Sequence, residues 1–140
     1  MGDMLTPSSE DYLQSIFLLD KSKNAVRVKD ISSELGVSMP SVHHALNLLK
    51  EEKFIRHESY GHVELTRKGR KAGKKIYCRH EILLKFLTDI LGVPGKEAQE
   101  ETCRIEHYIS EETQKKLADF IEMVESCPHS EQRHRKDAQE

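Results

Sequence analysis

Three observations predict a mainly α-helical chain with one small β-hairpin, in which a group of short helices is joined by a long helix to a second helical domain. Apolar residues recur at helical spacing through most of the 140 residues. Two short periodic segments, about residues 28–35 and 39–52, are separated by a turn containing Gly36 and Ser38, the pattern of a helix-turn-helix. The one alternating stretch comes next, as Phe54-Ile55-Arg56-His57-Glu58 and His62-Val63-Glu64-Leu65-Thr66 around Ser59-Tyr60-Gly61. It reads as a hairpin, and a hairpin directly behind a helix-turn-helix is a wing.

The elements follow in order. Thr6 is placed to cap a first helix that starts at Pro7 or Ser8 and carries Leu13, Ile16 and Phe17 on one stripe until the polar run Asp20-Lys21-Ser22-Lys23-Asn24. Asp11 and Gln14, three apart, share a face of it. The second helix runs from about Lys29 to Leu35 and is closed by Gly36. Ser38 caps the third, whose stripe is Val42, Ala45, Leu46 and Leu49. That leaves Met39, Ser41, His43, His44 and Asn47 outward, on a helix suited to the major groove. Thr66 caps the long helix, which opens with six cations by Lys75 (Arg67, Lys68, Arg70, Lys71, Lys74, Lys75) and runs to about Leu91, where Gly92-Val93-Pro94-Gly95 stops it. A solvated helix face is one reading of that stripe; behind a wing, a phosphate-contacting patch is the better one. Lys96 to Tyr108 is helical in composition, and Ser110-Glu111-Glu112-Thr113 opens a last helix bearing Leu117, Phe120, Ile121 and Val124. Residues 1–72, 73–125 and 126–140 are thus a winged helix-turn-helix, a helical domain and a tail without apolar period.

Composition narrows the classes. With 36% apolar and 33% charged residues the chain reads as soluble and globular, and its start has neither a basic nor an apolar leader region, so a cytoplasmic protein without a membrane segment is expected. Cys78, Cys103 and Cys127 are too few and too scattered for a disulfide framework. The net charge of -2 hides an asymmetry: 13 Lys and Arg against 10 Asp and Glu up to Lys75, and 9 against 14 beyond. The front half is therefore the side to meet a polyanion such as double-stranded DNA.

One segment carries coordination chemistry. In Cys103-Arg104-Ile105-Glu106-His107, positions i, i+3 and i+4 of a helix present a thiol, a carboxylate and an imidazole on one face. That donor set suits a first-row transition ion better than calcium or magnesium, which take oxygen ligands. A solvated Glu-His pair beside a buried cysteine is the bland alternative. His80, with apolar neighbours one turn away, reads on its own as a packing histidine, and Cys127, His129 and His134 in the tail as a poor site.

The order of elements resembles the diphtheria toxin repressor family of metal-dependent regulators, and within it the short two-domain branch of the manganese transport regulators. The resemblance rests on Thr6-Pro7-Ser8-Ser9-Glu10-Asp11-Tyr12-Leu13, Val37-Ser38-Met39-Pro40-Ser41-Val42, Leu65-Thr66-Arg67-Lys68-Gly69, Arg79-His80-Glu81 and Ile105-Glu106-His107, and covers roughly Thr6 to Val124. It implies a mainly α fold, an N-terminal winged helix-turn-helix joined by a long helix to an α-helical metal-binding and dimerisation domain. It also implies a homodimeric repressor that binds an operator and controls metal uptake. The metal ligands it implies are Asp11, His80, Cys103, Glu106 and His107. Contacts to DNA are expected from Ser38, Pro40, Ser41, His43, His44 and Asn47 on the third helix, from Tyr60 and His62 on the wing, and from Arg67 and Lys68.

The chain also departs from the family pattern. Gln14 and Leu84 stand where many members carry acids, which removes anions that would hold a second ion; Cys103 replaces a glutamate of manganese-selective members, and Asp11 a methionine of iron-responsive ones. One well-formed site of Asp11, Cys103, Glu106 and His107 is expected, with a weak or absent second one near His80, for Fe(II) or Mn(II), the thiolate tilting the choice to iron. The competing readings are a winged-helix regulator responding to redox change or a small ligand, and a zinc or iron enzyme with Glu10 as base. No second acid-base constellation or glycine loop supports the enzyme.

Overall fold

A computed structural model describes residues 5–58 and 61–126. The chain divides into two compact units between Tyr77 and Cys78.

In the first unit, α1 (Pro7–Ser22), α2 (Val28–Leu35) and α3 (Met39–Glu51) are followed by β1 (Ile55–His57), β2 (Val63–Leu65) and the start of α4 (Arg67–Lys85). Local chemistry sets the helix ends. The Thr6 hydroxyl accepts from the Ser9 N–H at 3.1 Å, the Ser38 hydroxyl from that of Ser41 at 3.3 Å, and each is followed by a proline in the first turn. Gly36 ends α2 in the left-handed region, with φ at 65°, which frees the chain to turn into α3. α1 continues three residues beyond Leu19, to Ser22.

The strands pair antiparallel with Ile55 opposite Leu65 and His57 opposite Val63. A bridge from Val63 N–H to the Val26 carbonyl, 2.7 Å, ties the hairpin back to the turn before α2, a contact no local pattern signals. Leu13, Ile16, Ile31, Val42, Leu46, Leu49, Phe54 and Val63 form one core. Each such side chain, taken fully from water, contributes about 1.5–3 kcal/mol before entropy is subtracted. Gly69 lets α4 lie against the hairpin: a Cβ there would stand 1.9 Å from the Phe54 carbonyl oxygen.

In the second unit, the remainder of α4 leads to α5 (Gly95–Ile105) and α6 (Glu111–Glu125), capped by Ser110 on the Thr113 N–H at 3.1 Å. Two stretches depart from the expected regular helices. The long helix does not stay α-helical to Leu91: residues Phe86–Ile90 form a π turn, in which the Leu91 N–H reaches the Phe86 carbonyl at 3.1 Å. Likewise the helix from Lys96 toward Tyr108 ends at Ile105, and Glu106–Tyr108 tighten into a 3₁₀ turn. Leu83, Leu87, Ala98 and Ile121 are buried, while Phe120 and Met123 of α6 are exposed.

Candidate metal centre and nucleic-acid interface

α4 presents His80, α5 presents Cys103, and the 3₁₀ turn presents Glu106 and His107. Glu106 is 1% exposed, a carboxylate withdrawn from water that must find donors or a cation. One oxygen, Oε2, lies 2.5 Å from His80 Nδ1; the other, Oε1, lies 3.7 Å from His107 Nε2. One donor atom each from His80, Cys103 and Glu106 falls within 4.8 Å of the others. The Glu106 carboxylate, as hydrogen-bond acceptor, holds the His80 imidazole above the usual histidine range, against the opposing effect of burial.

The expectation that His80 stands apart from the helical ligands meets a different arrangement, because Glu106 joins it to Cys103. The carboxylate's two oxygens are the physical reason: His80 reaches one from α4, and His107, the next residue in the chain, lies by the other. Thiol, carboxylate and imidazoles fit a divalent transition ion, and the soft sulfur disfavours calcium or magnesium.

In the first unit, Val42, Ala45, Leu46 and Leu49 hold one face of α3 in the core. Ser38, Pro40, Ser41, His43, His44 and Asn47 are all exposed. The Ser38 and Ser41 hydroxyls are 2.8 Å apart and belong to the helix cap. His62 is exposed on the wing with its Nε2 2.8 Å from Glu64 Oε1. Arg67 is exposed, whereas the Lys68 ammonium donates to the Glu52 carbonyl at 2.8 Å and lies 4.4 Å from the centre of the Phe54 ring. Arg70 is likewise engaged, 3.0 Å from Asp20. Tyr60, Cys127, His129 and His134 lie outside the described residues. Sequence reasoning missed Arg27, Lys29, Lys50 and His57, which line a groove with His43 and Asn47. Only the wing's return past α2 brings them together.

Among the described residues no helix is long and apolar enough to cross a membrane. Residues 4–63 match the family profile described as iron dependent repressor, N-terminal DNA binding domain, and residues 66–135 match the iron dependent repressor, metal binding and dimerisation domain. A curated relative, the HTH-type transcriptional regulator MntR of Bacillus pumilus, is 35% identical over 122 residues, 87% of this chain and 84% of the relative. The crystal structure of T. acidophilum IdeR matches with a TM-score of 0.72 at 27% identity, over 92% of this chain but 59% of that one. The manganese regulator SloR matches at 0.75 and 29%, over 89% of this chain and 58% of that one, so the chain spans less than two thirds of either solved relative. The chain belongs to the iron-dependent repressor family, with that family's DNA-binding and metal-binding, dimerisation domains, and is a metal-dependent DNA-binding transcriptional regulator rather than an enzyme.

Proposed function

We propose that this chain is a homodimeric repressor that senses Fe(II) or Mn(II) and controls genes of metal uptake. The observation that carries the reading is the buried Glu106 carboxylate, shared between two imidazoles with the Cys103 thiol in reach. An ion there would be held by His80, Cys103 and Glu106, with His107 beside the second carboxylate oxygen, and the family resemblance adds Asp11. The chemistry it supplies is a compact positive charge in place of the His80 proton, so metal uptake releases protons and weakens in acid. Cys103 favours ferrous iron over manganese, because thiolate is the softer ligand.

The first unit supplies the DNA contact. α3 offers small and imidazole-bearing side chains rather than long bidentate readers. Operator choice then leans on shape and thymine methyl contacts, with phosphates gripped by His62 and Arg67. Two copies of α3 in a dimer enter successive major grooves about 34 Å apart. Metal acts by favouring the dimer arrangement that meets this spacing.

Anaerobic fluorescence anisotropy on duplex DNA, with Fe(II), with Mn(II) and with neither, tests the reading. Metal is expected to tighten binding by about 5- to 150-fold. Equal affinity in all three states would end the metal-switch claim.

A further inference from the structure

The groove of the first unit has an unusual lining. It spans about 600 Å³ between the start of α2, the exposed face of α3 and β1, and is lined by Arg27, Lys29, His43, Lys50 and His57 among others. None of its lining residues is acidic. The imidazoles of His43 and His57 face one another, with ring centroids 6.3 Å apart and planes tilted by 31°. Lys50 donates its ammonium to the His57 carbonyl at 3.0 Å, which keeps that charge beside the same ring.

The carboxylates near these elements lie outside the groove lining. Asp30 of α2 binds Lys23 and the Arg27 N–H, and Glu64 of β2 lies with His62. Glu58, next to His57 in the chain, is exposed and does not line the groove. Burial holds the His57 imidazole below the usual histidine range, with His43 and Lys50 repelling its charge and the Gly61 backbone opposing them. A ring that resists charging thus sits beside Lys50 in a groove that Arg27 and Lys29 also line and that no carboxylate lines.

We propose that this groove is a proton-coupled phosphate site, in which a DNA backbone phosphate seats among Arg27, Lys29 and Lys50 and draws a proton onto the His43–His57 pair. The inference rests on the DNA-binding reading above and adds a consequence to it: binding takes up protons, so DNA affinity rises in mild acid. The proton comes from solvent and returns there on release, and the phosphate supplies the negative charge that offsets it. Acid acts on the metal centre in the opposite sense, since protonated ligands release the ion. The sign of the pH dependence therefore separates the two sites.

The test is anisotropy of the full chain on a mixed-sequence duplex at fixed salt, from pH 8 to pH 6, with Mn(II) in excess and its occupancy measured at each pH. Linkage of up to one proton predicts affinity rising by about threefold to tenfold per pH unit near pH 7. His57→Gln and His43→Gln, each checked for an unchanged thermal midpoint, are expected to flatten that slope to less than about twofold. A wild-type affinity that is flat or falls in acid at constant metal occupancy would overturn the inference alone. So would a slope that survives both substitutions, since it would then belong to other groups. A wild type that binds no DNA at any pH would take down the DNA-binding reading and this inference with it.

Discussion

Asp30 carries two duties at the start of α2. One carboxylate oxygen accepts the Arg27 N–H at 2.9 Å, closing an otherwise open helix end, and the other accepts the Lys23 ammonium at 2.8 Å. Lys23, then the Arg27 N–H, hold its carboxyl below the ordinary range, with burial opposing. A carboxyl whose folded value lies below its unfolded one stabilises the fold fully above the unfolded value, about 4, and loses that effect as pH falls through the folded value. Asp30→Asn is therefore expected to lower the thermal midpoint at pH 7, and the gap from wild type should close as pH drops below about 4. Thermal unfolding of both proteins between pH 7 and pH 3 checks this. A gap that persists unchanged into acid would show that the carboxylate charge is not what holds the turn.

Among the elements, what could be read from the chain was what depends on near neighbours. The caps at Thr6, Ser38 and Ser110 are all formed, because each needs only a hydroxyl and an N–H three residues on. The buried face of α3 is the stripe that its spacing implies, since a helix fixes which side chains share a face. The π turn, the 3₁₀ turn and the Val26 bridge were out of reach, because packing decides them rather than local preference. The pairing of His80 with Glu106, 26 residues apart, was hidden for the same reason. Lys68 shows the difference most clearly: in the chain it is one cation of a stripe, whereas in the fold it closes the end of α3 on Glu52 and covers Phe54. Lys68→Ala should therefore lower stability by about 1 kcal/mol, from the lost carbonyl contact and cation–π contact. Lys71→Ala, on the exposed part of the same helix, should leave stability alone and flatten the salt dependence of DNA binding. Urea unfolding and anisotropy on the two variants decide it, and equal loss of stability in both would remove the distinction.

At the scale of the molecule, the second unit exposes more apolar surface than a small solitary domain needs to. Tyr108 is 79% exposed, Met123 61% and Phe120 42%, and the last two lie three residues apart on one face of α6. The part of the chain beyond Lys75 is acidic, so two copies meeting there would repel unless the seam is largely apolar. A seam through Met123 and Phe120 meets that requirement and accords with the dimerisation domain matched over residues 66–135. In a two-fold seam each substitution enters twice. Burying one unpaired carboxylate costs about 2 kcal/mol in each copy, so Met123→Glu should raise the dimer dissociation constant by about a thousandfold. Sedimentation velocity across a concentration series reads that shift directly. DNA affinity should fall with it, because a lone subunit brings a single α3 to a site that needs two. If Met123→Glu stays dimeric at the same concentrations as wild type, the seam lies on another face of the domain. The exposed face of α6 would then need a different partner.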